Sequence, residues 1–390
     1  MYRIGQEEID AVARVIQSKQ FFKINDAGQE CKHFENEWRR QFGCKYALFM
    51  TSGFAALTSA LIGLGIGPGD EVIVPAYTYI ASALAVTAAG AIPVIADTDE
   101  TLTLSAAAAA AKITPHTKAI MPVHIQGFPC DMDAVTALAK AHGLYVVEDA
   151  CQADGGTYKG KPLGTIGDAG AYSFNYYKVI SCGEGGLLAA NDRTVYERAL
   201  IYHDASAVAF FGDQLNDVHE PLFGGTEWRV SDITGAIMRE QLRKLPGIVH
   251  DLKKNKDALI AAVGTPLPIL PSHDADGGVA TTLALRFDDE AQCRAFIESC
   301  KARKVDAWTP IDTGKHIYTN WTQIMEKRGA PHPSMDPFRM AENRGLQMQY
   351  TPDMCGETLR LLARTAYIGI DADWDEAAVR TLAAAIRSSL

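Results

Sequence analysis

The sequence lacks the features typical of nucleic-acid-binding, membrane and metal-binding proteins. Its 390 residues carry a formal net charge of -10 at pH 7 without a long basic run, which argues against nucleic acid or an anionic membrane as a partner. The eight cysteines are scattered without a CxxC pair, so neither a zinc site nor a disulfide framework is predicted. The expected partners are therefore small molecules, with no metal.

No targeting segment is recognisable near Met1. The stretch IGQEEIDAVARVIQ is charged and amphipathic, and it lacks the basic start and apolar run of a secretory signal peptide. The longest apolar stretch, from Ala76 to Ala96, is interrupted by Gly90 and Pro93, which indicates a helix, a turn and a strand in a buried core. We expect a cytoplasmic protein.

Short β-branched apolar runs alternate with segments of helical periodicity over much of the chain. Six runs are predicted as strands: EVIVPA, IPVIAD, AIMPVHI, LYVVEDA, AGAYSF and GLLAAN. This alternation predicts an α/β fold with a mostly parallel central sheet and helices on both faces. Open parallel sheets bind ligands at the carboxyl ends of their strands, so polar residues just after these runs are the candidate site residues.

The pattern changes after about residue 250. The segment GAIMREQLRKLPGIVHDLKKNKDALIAAV predicts one long linking helix or two, and after it ATTLALRF predicts a strand and CRAFIESCKARKV an amphipathic helix. Single cores also stop growing at ~250 to 300 residues, below the length of this chain. We therefore predict a large domain of residues 1–250, including an N-terminal helix, and a smaller α+β domain of residues 251–390.

Lys178 stands between an apolar strand and a Gly-rich turn, in GDAGAYSFNYYKVISCGEGG. Desolvation at such a place favours the neutral amine, which can form a Schiff base and carry protons. The alternative is a structural lysine whose stem packs on apolar surface. Lys178 indicates a pyridoxal phosphate site only together with the other parts of such a site. These are a partner for the pyridine nitrogen, a phosphate cradle and a face that stacks on the ring.

The same sequence region supplies a partner for the pyridine nitrogen. Asp149 ends the strand LYVVED, and a carboxylate ~4 Å from a protonated pyridine nitrogen is worth ~4 kcal/mol at an effective dielectric of ~20. A helix N-cap is the alternative interpretation of Asp149. Gln152, in the same turn, would hydrogen-bond the ring hydroxyl.

The phosphate cradle and the stacking face also have candidates. Gly53 and Phe54 in TSGFAAL would present backbone N–H groups at a helix start, and Ser173 would add a hydroxyl, although an ordinary helix cap has the same local sequence. Tyr77 or Tyr79 would hold the cofactor ring flat, with core packing as the alternative for either.

Taken in order, TSGFAAL, EVIVPAYTY, VVEDACQ, SFNYYK and CGEGG resemble the DegT/DnrJ/StrS family of pyridoxal phosphate sugar aminotransferases, of aspartate aminotransferase fold type I. The resemblance runs over nearly the whole chain. Stretches such as ADTDETLTL and EDACQADGGTYKGKPLGTIGDAG are similar to 8-amino-3,8-dideoxyoctulosonate aminotransferases. The resemblance implies that pyridoxal 5'-phosphate is the cofactor, that Lys178 is the catalytic Schiff-base lysine, that Asp149 is the ring-nitrogen partner and that Tyr79 stacks on the ring.

The activity implied by the resemblance is ping-pong transfer of an amino group from glutamate or glutamine to a keto sugar, keto-sugar acid or cyclitol. The family is dimeric with sites shared between subunits, which implies a homodimer. Relatives that dehydrate sugars have His in place of the lysine, so Lys178 argues against that chemistry. A non-catalytic pyridoxal phosphate-binding regulator and a scaffold without cofactor are the remaining alternatives.

The sequence departs from the family pattern in GGTEWRV, where Glu227 replaces the Asn that commonly donates to the partner subunit's phosphate. An ionised Glu cannot donate a hydrogen bond, so Glu227 would either pair with Arg229 or face the substrate. Arg229 is a candidate for binding the donor carboxylate, with a structural ion pair as the alternative. His203 is a candidate for contacting substrate, with a solvated loop as the alternative. Specificity is expected in loops 21–28, 205–223 and 308–350.

Overall fold

The computed structural model describes residues 2–23, 28–204 and 218–390. In these ranges the strands are β1 (Tyr46–Met50), β2 (Glu71–Pro75), β3 (Ile92–Ala96), β4 (Thr117–Ile120), β5 (Tyr145–Asp149), β6 (Thr157–Tyr158), β7 (Lys161–Pro162), β8 (Ala169–Ser173), β9 (Gly186–Ala190), β10 (Thr282–Arg286), β11 (Ala307–Trp308) and β12 (Thr365–Gly369). The helices are α1 (Gln6–Ser18), α2 (Glu30–Phe42), α3 (Gly53–Gly63), α4 (Ala81–Ala88), α5 (Ala106–Ala110), α6 (Met132–His142), α7 (Arg193–His203), α8 (Asp232–Val263), α9 (Glu290–Ala302), α10 (Thr322–Met325), α11 (Gly356–Ala363) and α12 (Glu376–Arg387).

A central sheet has the strand order β1-β9-β8-β5-β4-β2-β3. Strand β9 is antiparallel to both of its neighbours, β1 and β8, and the other pairs are parallel. The six predicted strands are all present in this sheet, and β1, which the sequence pattern did not predict, forms one edge. The predicted mostly parallel sheet is therefore observed.

Hydrophobic cores cover both faces of this sheet. Successive strand side chains point to opposite faces, so Ile73 of β2 packs in one core with Trp38 of α2, whereas Val74 packs in the other core with Leu57 of α3. Burying each large apolar side chain contributes roughly 1.5 to 3 kcal/mol. The two cores hold the helices in place and fix the strand ends that carry the functional side chains.

Helix α8 links the central sheet to a second, antiparallel sheet in the order β10-β12-β11. It runs for 32 residues with Pro246 inside, so one linking helix is observed rather than two. The predicted domain boundary at residue 250 falls within this helix, and Leu283 of β10 shares a core with Leu252 of α8. The division into residues 1–250 and 251–390 remains a prediction. In the described ranges, no helix is both long and apolar enough to cross a membrane.

Candidate cofactor site

A cavity lies at the carboxyl ends of the parallel strands β1, β2, β5 and β8. The seven residues predicted to bind the cofactor all line it: Gly53, Phe54, Tyr79, Asp149, Gln152, Ser173 and Lys178. Its other lining residues are Ser52, Leu57, Thr78, Ala81, Cys151, Asn175 and Glu184. Because the strands run in the same direction, residues that follow them meet at one edge of the sheet.

The start of helix α3 presents two free backbone donors to this cavity. Ser52 caps the helix by accepting from the Ala55 N–H through its hydroxyl oxygen at 3.1 Å and from the Ala56 N–H through its carbonyl at 3.0 Å. The N–H groups of Gly53 and Phe54 donate to no described residue. The cap that was the alternative interpretation is therefore present, and it leaves a pair of donors suited to an anion.

Gly53 allows the helix start to approach strand β8 closely. A Cβ at this position would lie 2.7 Å from Cys151 Sγ and 2.9 Å from Ser173 Cβ, closer than real Cβ atoms come. Ser173 ends β8, its side chain is buried, and its hydroxyl forms no hydrogen bond within the described ranges. The hydroxyl thus lies next to the two free N–H groups and completes a cradle of three donors.

The Asp149 carboxylate is held in place by two donors from this chain. The Ser82 hydroxyl donates to Oδ2 at 2.7 Å, and the Cys151 N–H donates to Oδ1 at 3.1 Å. Thr78 contacts Ser82 in turn, with 2.8 Å between the two hydroxyl oxygens. No helix begins at Asp149, so the N-cap alternative is not observed. Two of the four acceptor positions of the carboxylate remain for a ligand.

Gln152 is oriented by the backbone of Gln126. The Gln126 N–H donates to Gln152 Oε1 at 2.9 Å, which identifies that atom as the oxygen and leaves the amide N–H₂ of Gln152 as a donor at the cavity. Gln126 adopts a left-handed backbone with φ of 52°. The side chain of Gln126 accepts from the Thr282 hydroxyl at 3.0 Å, which connects this wall to β10.

Lys178 and Tyr79 contribute the reactive and aromatic groups of the cavity. Lys178 lies in a turn after β8, where its N–H donates to Asn175 O at 3.0 Å, and its side-chain amine makes no hydrogen bond or ion pair with any described residue. Tyr77 is 1% exposed and belongs to the core, whereas Tyr79 is 49% exposed. Of the two candidate aromatics, Tyr79 is therefore the one with a ring face available to a ligand.

Sequence reasoning missed several residues that build the site. Glu184 stood within the CGEGG segment without receiving a role, and Asn175 stood within SFNYYK. Ser82 had no local signal, because it contacts Asp149 across 67 positions of sequence. His316 comes from the C-terminal part of the chain and packs on the Tyr79 ring, with 5.3 Å between ring centroids.

Arg229 and Glu227 do not line the cavity. Arg229 Nη1 lies 2.7 Å and 2.9 Å from the two carboxylate oxygens of Asp204, which is fully buried, and Arg229 Nη2 lies 2.6 Å from Glu227 Oε2. The guanidinium also lies over the Phe22 ring at 4.8 Å. The arrangement is the structural ion pair that was the alternative to carboxylate binding, and Glu227 pairs with Arg229.

The substrate contact expected of His203 is not observed, and neither is the solvated-loop alternative. His203 is the last residue of α7, its side chain is fully buried, and its Nδ1 lies 2.8 Å from Leu200 O. Burial and then the charge of Lys23 place the pKa of His203 well below its ordinary value, so the ring is neutral. Parts of the predicted specificity loops, residues 24–27 and 205–217, lie outside the described residues.

Comparisons with known proteins agree with this geometry. Residues 2–368 match the DegT/DnrJ/EryC1/StrS aminotransferase family. The GDP-perosamine synthase of Escherichia coli O157:H7 is 42% identical over 235 residues, which are 60% of this chain and 63% of that protein. The match thus spans less than two thirds of the synthase.

Solved structures extend the likeness over the full length. An aminotransferase from Psychrobacter cryohalolentis superimposes with a TM-score of 0.81 and 28% identity, covering 100% of this chain and 98% of the other. The Escherichia coli GDP-4-keto-6-deoxy-D-mannose-3-dehydratase with bound hydrated PLP gives 0.80 at 21% identity, covering 99% and 98%, and shows the fold alone. The predicted aspartate aminotransferase-like fold type I is confirmed. Because the family match covers nearly all of the sequence, this chain belongs to the DegT/DnrJ/EryC1/StrS aminotransferase family.

Proposed function

We propose that this protein is a pyridoxal phosphate-dependent aminotransferase that moves an amino group from glutamate or glutamine to a keto sugar, keto-sugar acid or cyclitol. The observation that supports it most is a set of groups around one cavity that have no hydrogen-bond partner among the described residues: the N–H groups of Gly53 and Phe54, the Ser173 hydroxyl and the Lys178 amine. A buried polar group without a partner costs free energy, so such a set indicates a ligand that satisfies it.

The cavity residues fit the separate parts of pyridoxal phosphate. The three donors of the cradle would hold the phosphate, Asp149 would accept from the protonated ring nitrogen, Gln152 would donate to the ring hydroxyl and Tyr79 would cover the ring. The bound cofactor would carry the amino group between donor and acceptor and take up the electron pair left on the donor carbon.

Two side chains carry most of the chemistry on the protein side. The Lys178 amine would hold the cofactor covalently at rest, and once released it would move the proton that leaves the donor α-carbon. The Asp149 carboxylate would keep the ring nitrogen protonated, at ~4 kcal/mol for a separation of ~4 Å and an effective dielectric of ~20. Ser82 and Cys151 hold that carboxylate in position.

A sugar as amino acceptor is supported by the similarity to a GDP-perosamine synthase and by the resemblance to 8-amino-3,8-dideoxyoctulosonate aminotransferases. Dehydration is the second candidate, since a dehydratase shares the fold. Lys178 favours transamination, because the dehydrating relatives have His at that position.

We also propose a cytoplasmic homodimer. Tyr176 and Tyr177, directly before Lys178, are 64% and 76% exposed, and a partner subunit would cover such rings beside the cavity. Light scattering after gel filtration tests this assembly, and a single-chain mass of 42.2 kDa for the cofactor-loaded protein would contradict it.

The test of the proposed activity is a half-reaction screen. Protein loaded with pyridoxal phosphate is mixed with single amino acids, and loss of the absorbance of the lysine-bound cofactor is recorded together with the oxo acid formed. L-Glutamate or L-glutamine should remove the absorbance. The reverse direction is then tested with GDP-perosamine and 8-amino-3,8-dideoxyoctulosonate as amino donors, which distinguishes the two sugar classes.

Each alternative has its own outcome in this screen. Protein that binds the cofactor but reacts with no amino acid or amino sugar is a regulator. Protein that takes up no cofactor is a scaffold. In an added incubation with a keto sugar, loss of water without transfer of an amino group identifies a dehydratase.

A further inference from the structure

Residues 314–318 of the C-terminal part of the chain lie along the cavity stretch between Ala76 and Ile80. Backbone hydrogen bonds hold the two segments together: Thr78 N–H donates to His316 O at 3.0 Å, Ile80 N–H to Lys315 O at 2.9 Å and Tyr318 N–H to Ala76 O at 3.0 Å. Tyr318 is fully buried. The position of His316 is therefore set by backbone pairing rather than by a free loop.

The His316 ring packs against the ring of Tyr79, which lines the cofactor cavity. Its plane is inclined at 51° to the Tyr79 ring, with 5.3 Å between centroids. Tyr79 and Lys178 line the same cavity, and the charge of Lys178 is one of the influences on the pKa of His316. His316 thus contacts a residue of the cavity although it lies far from that residue in the sequence.

The hydrogen bonding of His316 determines what its ring can offer. Nδ1 lies 3.3 Å from Thr313 O, and because a carbonyl only accepts, Nδ1 carries the hydrogen. Burial lowers the pKa of His316 below its ordinary value, the hydrogen bond to the Thr313 carbonyl opposes this shift, and the Lys178 charge adds a still smaller lowering effect. The ring is therefore neutral at pH 7, and its Nε2 lone pair is not used by any described residue.

The acceptors that line the cavity differ from His316 Nε2. The Ser173 and Tyr79 hydroxyls can also donate, the Asn175 amide oxygen already accepts from the Tyr177 N–H at 3.0 Å, and the Glu184 carboxylate is charged. The free groups of Gly53, Phe54 and Gln152 are donors, and Asp149 is already bound by two donors of this chain. Sugar hydroxyls can donate as well as accept, so a site for a sugar needs an acceptor near the reactive carbon. We infer that His316 is a substrate-binding residue whose Nε2 accepts a hydrogen bond from a hydroxyl of the sugar that gives or receives the amino group.

This inference rests on the proposed function, and two substitutions test it. His316→Asn keeps a side-chain N–H for Thr313 O and removes the acceptor at Nε2, whereas His316→Gln places an amide oxygen near the position of Nε2. His332→Asn is the matched control, because His332 is an exposed histidine of the same C-terminal part whose ring hydrogen-bonds Ser334, whereas the His316 ring packs on Tyr79. Cofactor content and melting temperature are measured for each variant.

The readout compares two half-reactions of the same cofactor-loaded protein. His316→Asn should raise the amino-sugar concentration that gives half-maximal rate by about tenfold, the size of one lost hydrogen bond, with GDP-perosamine or 8-amino-3,8-dideoxyoctulosonate as the probe. The corresponding concentration of L-glutamate should change by less than about twofold, because glutamate has no hydroxyl for His316 to accept from. His316→Gln should stay within about threefold of the wild type, and His332→Asn should match it.

Three outcomes separate the inference from the function on which it rests. If His316→Asn raises the half-saturating concentration of glutamate as much as that of the amino sugar, or changes neither concentration, His316 does not bind the sugar. If the wild type reacts with glutamate but with neither amino sugar, the inference is also wrong. If the wild type reacts with no amino acid, the proposed function itself has failed.

Discussion

Two regions of the molecule contain candidate site residues, and they differ in whether their polar groups are paired within the protein. Around the cofactor cavity the Lys178 amine and the Ser173 hydroxyl have no partner among the described residues. In the second region, which we call the arginine cluster, Arg229 is bound on two sides by Asp204 and Glu227. Free groups at the end of strands indicate a ligand site, whereas groups that satisfy one another indicate structure.

The free-energy cost of leaving a polar group unpaired also differs between the two regions. Without Arg229, the fully buried carboxylate of Asp204 would strongly destabilise the folded protein. The ion pairs of the arginine cluster therefore stabilise the fold. In the cavity, the donors without a described partner would gain one from a bound ligand. Four experiments test this distinction, from the largest expected effect to the smallest.

Removing the amine of the cavity should have the largest effect. Lys178→Ala should slow the full reaction by roughly 10²- to 10⁴-fold or more, because the chain loses both its covalent anchor and its proton carrier. The matched control is Lys159→Ala, since Lys159 is exposed and pairs with Asp133. Multiple turnover by Lys178→Ala at the wild-type rate would contradict the proposed mechanism.

Removing the guanidinium of the arginine cluster should affect stability instead. Arg229→Ala should lower the free energy of unfolding by about 3 kcal/mol, because Asp204 would be left buried and unpaired. Glu227→Gln should cost less than about 1 kcal/mol, because Glu227 is half exposed. Denaturant titration measures both. An Arg229→Ala protein of unchanged stability with a raised KM for glutamate would assign the donor carboxylate to Arg229 after all.

A side chain larger than hydrogen at Gly53 should weaken the binding of the cofactor. The Cβ of Gly53→Ala would meet Cys151 Sγ and Ser173 Cβ, so the helix start must move and the dissociation constant for pyridoxal phosphate should rise about tenfold. Gly247→Ala is the control, since its Cβ has open space on α8 and should stabilise by roughly 0.5 to 1 kcal/mol. Equal cofactor affinity in both variants would mean that the helix start does not bind the phosphate.

The smallest effect concerns pH. Burial, and then the charge of Lys23, lowers the pKa of folded His203, whereas the unfolded chain titrates near ~6.5. Below that pH only the unfolded state takes up this proton, so stability falls as the pH falls through ~6.5. Between pH 7 and about pH 5.5 the wild type should lose about 1 kcal/mol more than His203→Gln, by denaturant titration. An equal loss in both proteins would show that His203 is not buried as described.

Local sequence patterns were sufficient to predict most strands of the central sheet. The six predicted runs all form strands, because each is a short apolar segment bounded by turn or helix signals. Strand β1 was missed although Gly43 and Ser52 bound it, because three of its five residues, an Ala, a Leu and a Met, are strong helix formers. The antiparallel direction of β9 has no local signal, because direction is decided by how the connection from β8 crosses the sheet.

The residues that line the cavity were predictable where suitable chemistry and a strand end coincide. Asp149, Ser173 and Lys178 all belong to contiguous segments whose order resembles a known family. For Arg229 and His203 the sequence left a substrate role and a structural role open, because their residue types suit both, and only the neighbours Asp204 and Leu200 show that their hydrogen bonds are used within the protein.

The sequence by itself determined which segments become strands and which side chains follow them, because periodicity and turn chemistry act over a few residues. Only the tertiary structure decided which polar groups stay free and which distant side chains complete the site. Ser82 at Asp149 and His316 at Tyr79 meet through packing across the sheet and through backbone pairing between remote segments. Such contacts depend on the whole chain, so no short stretch of sequence contains them.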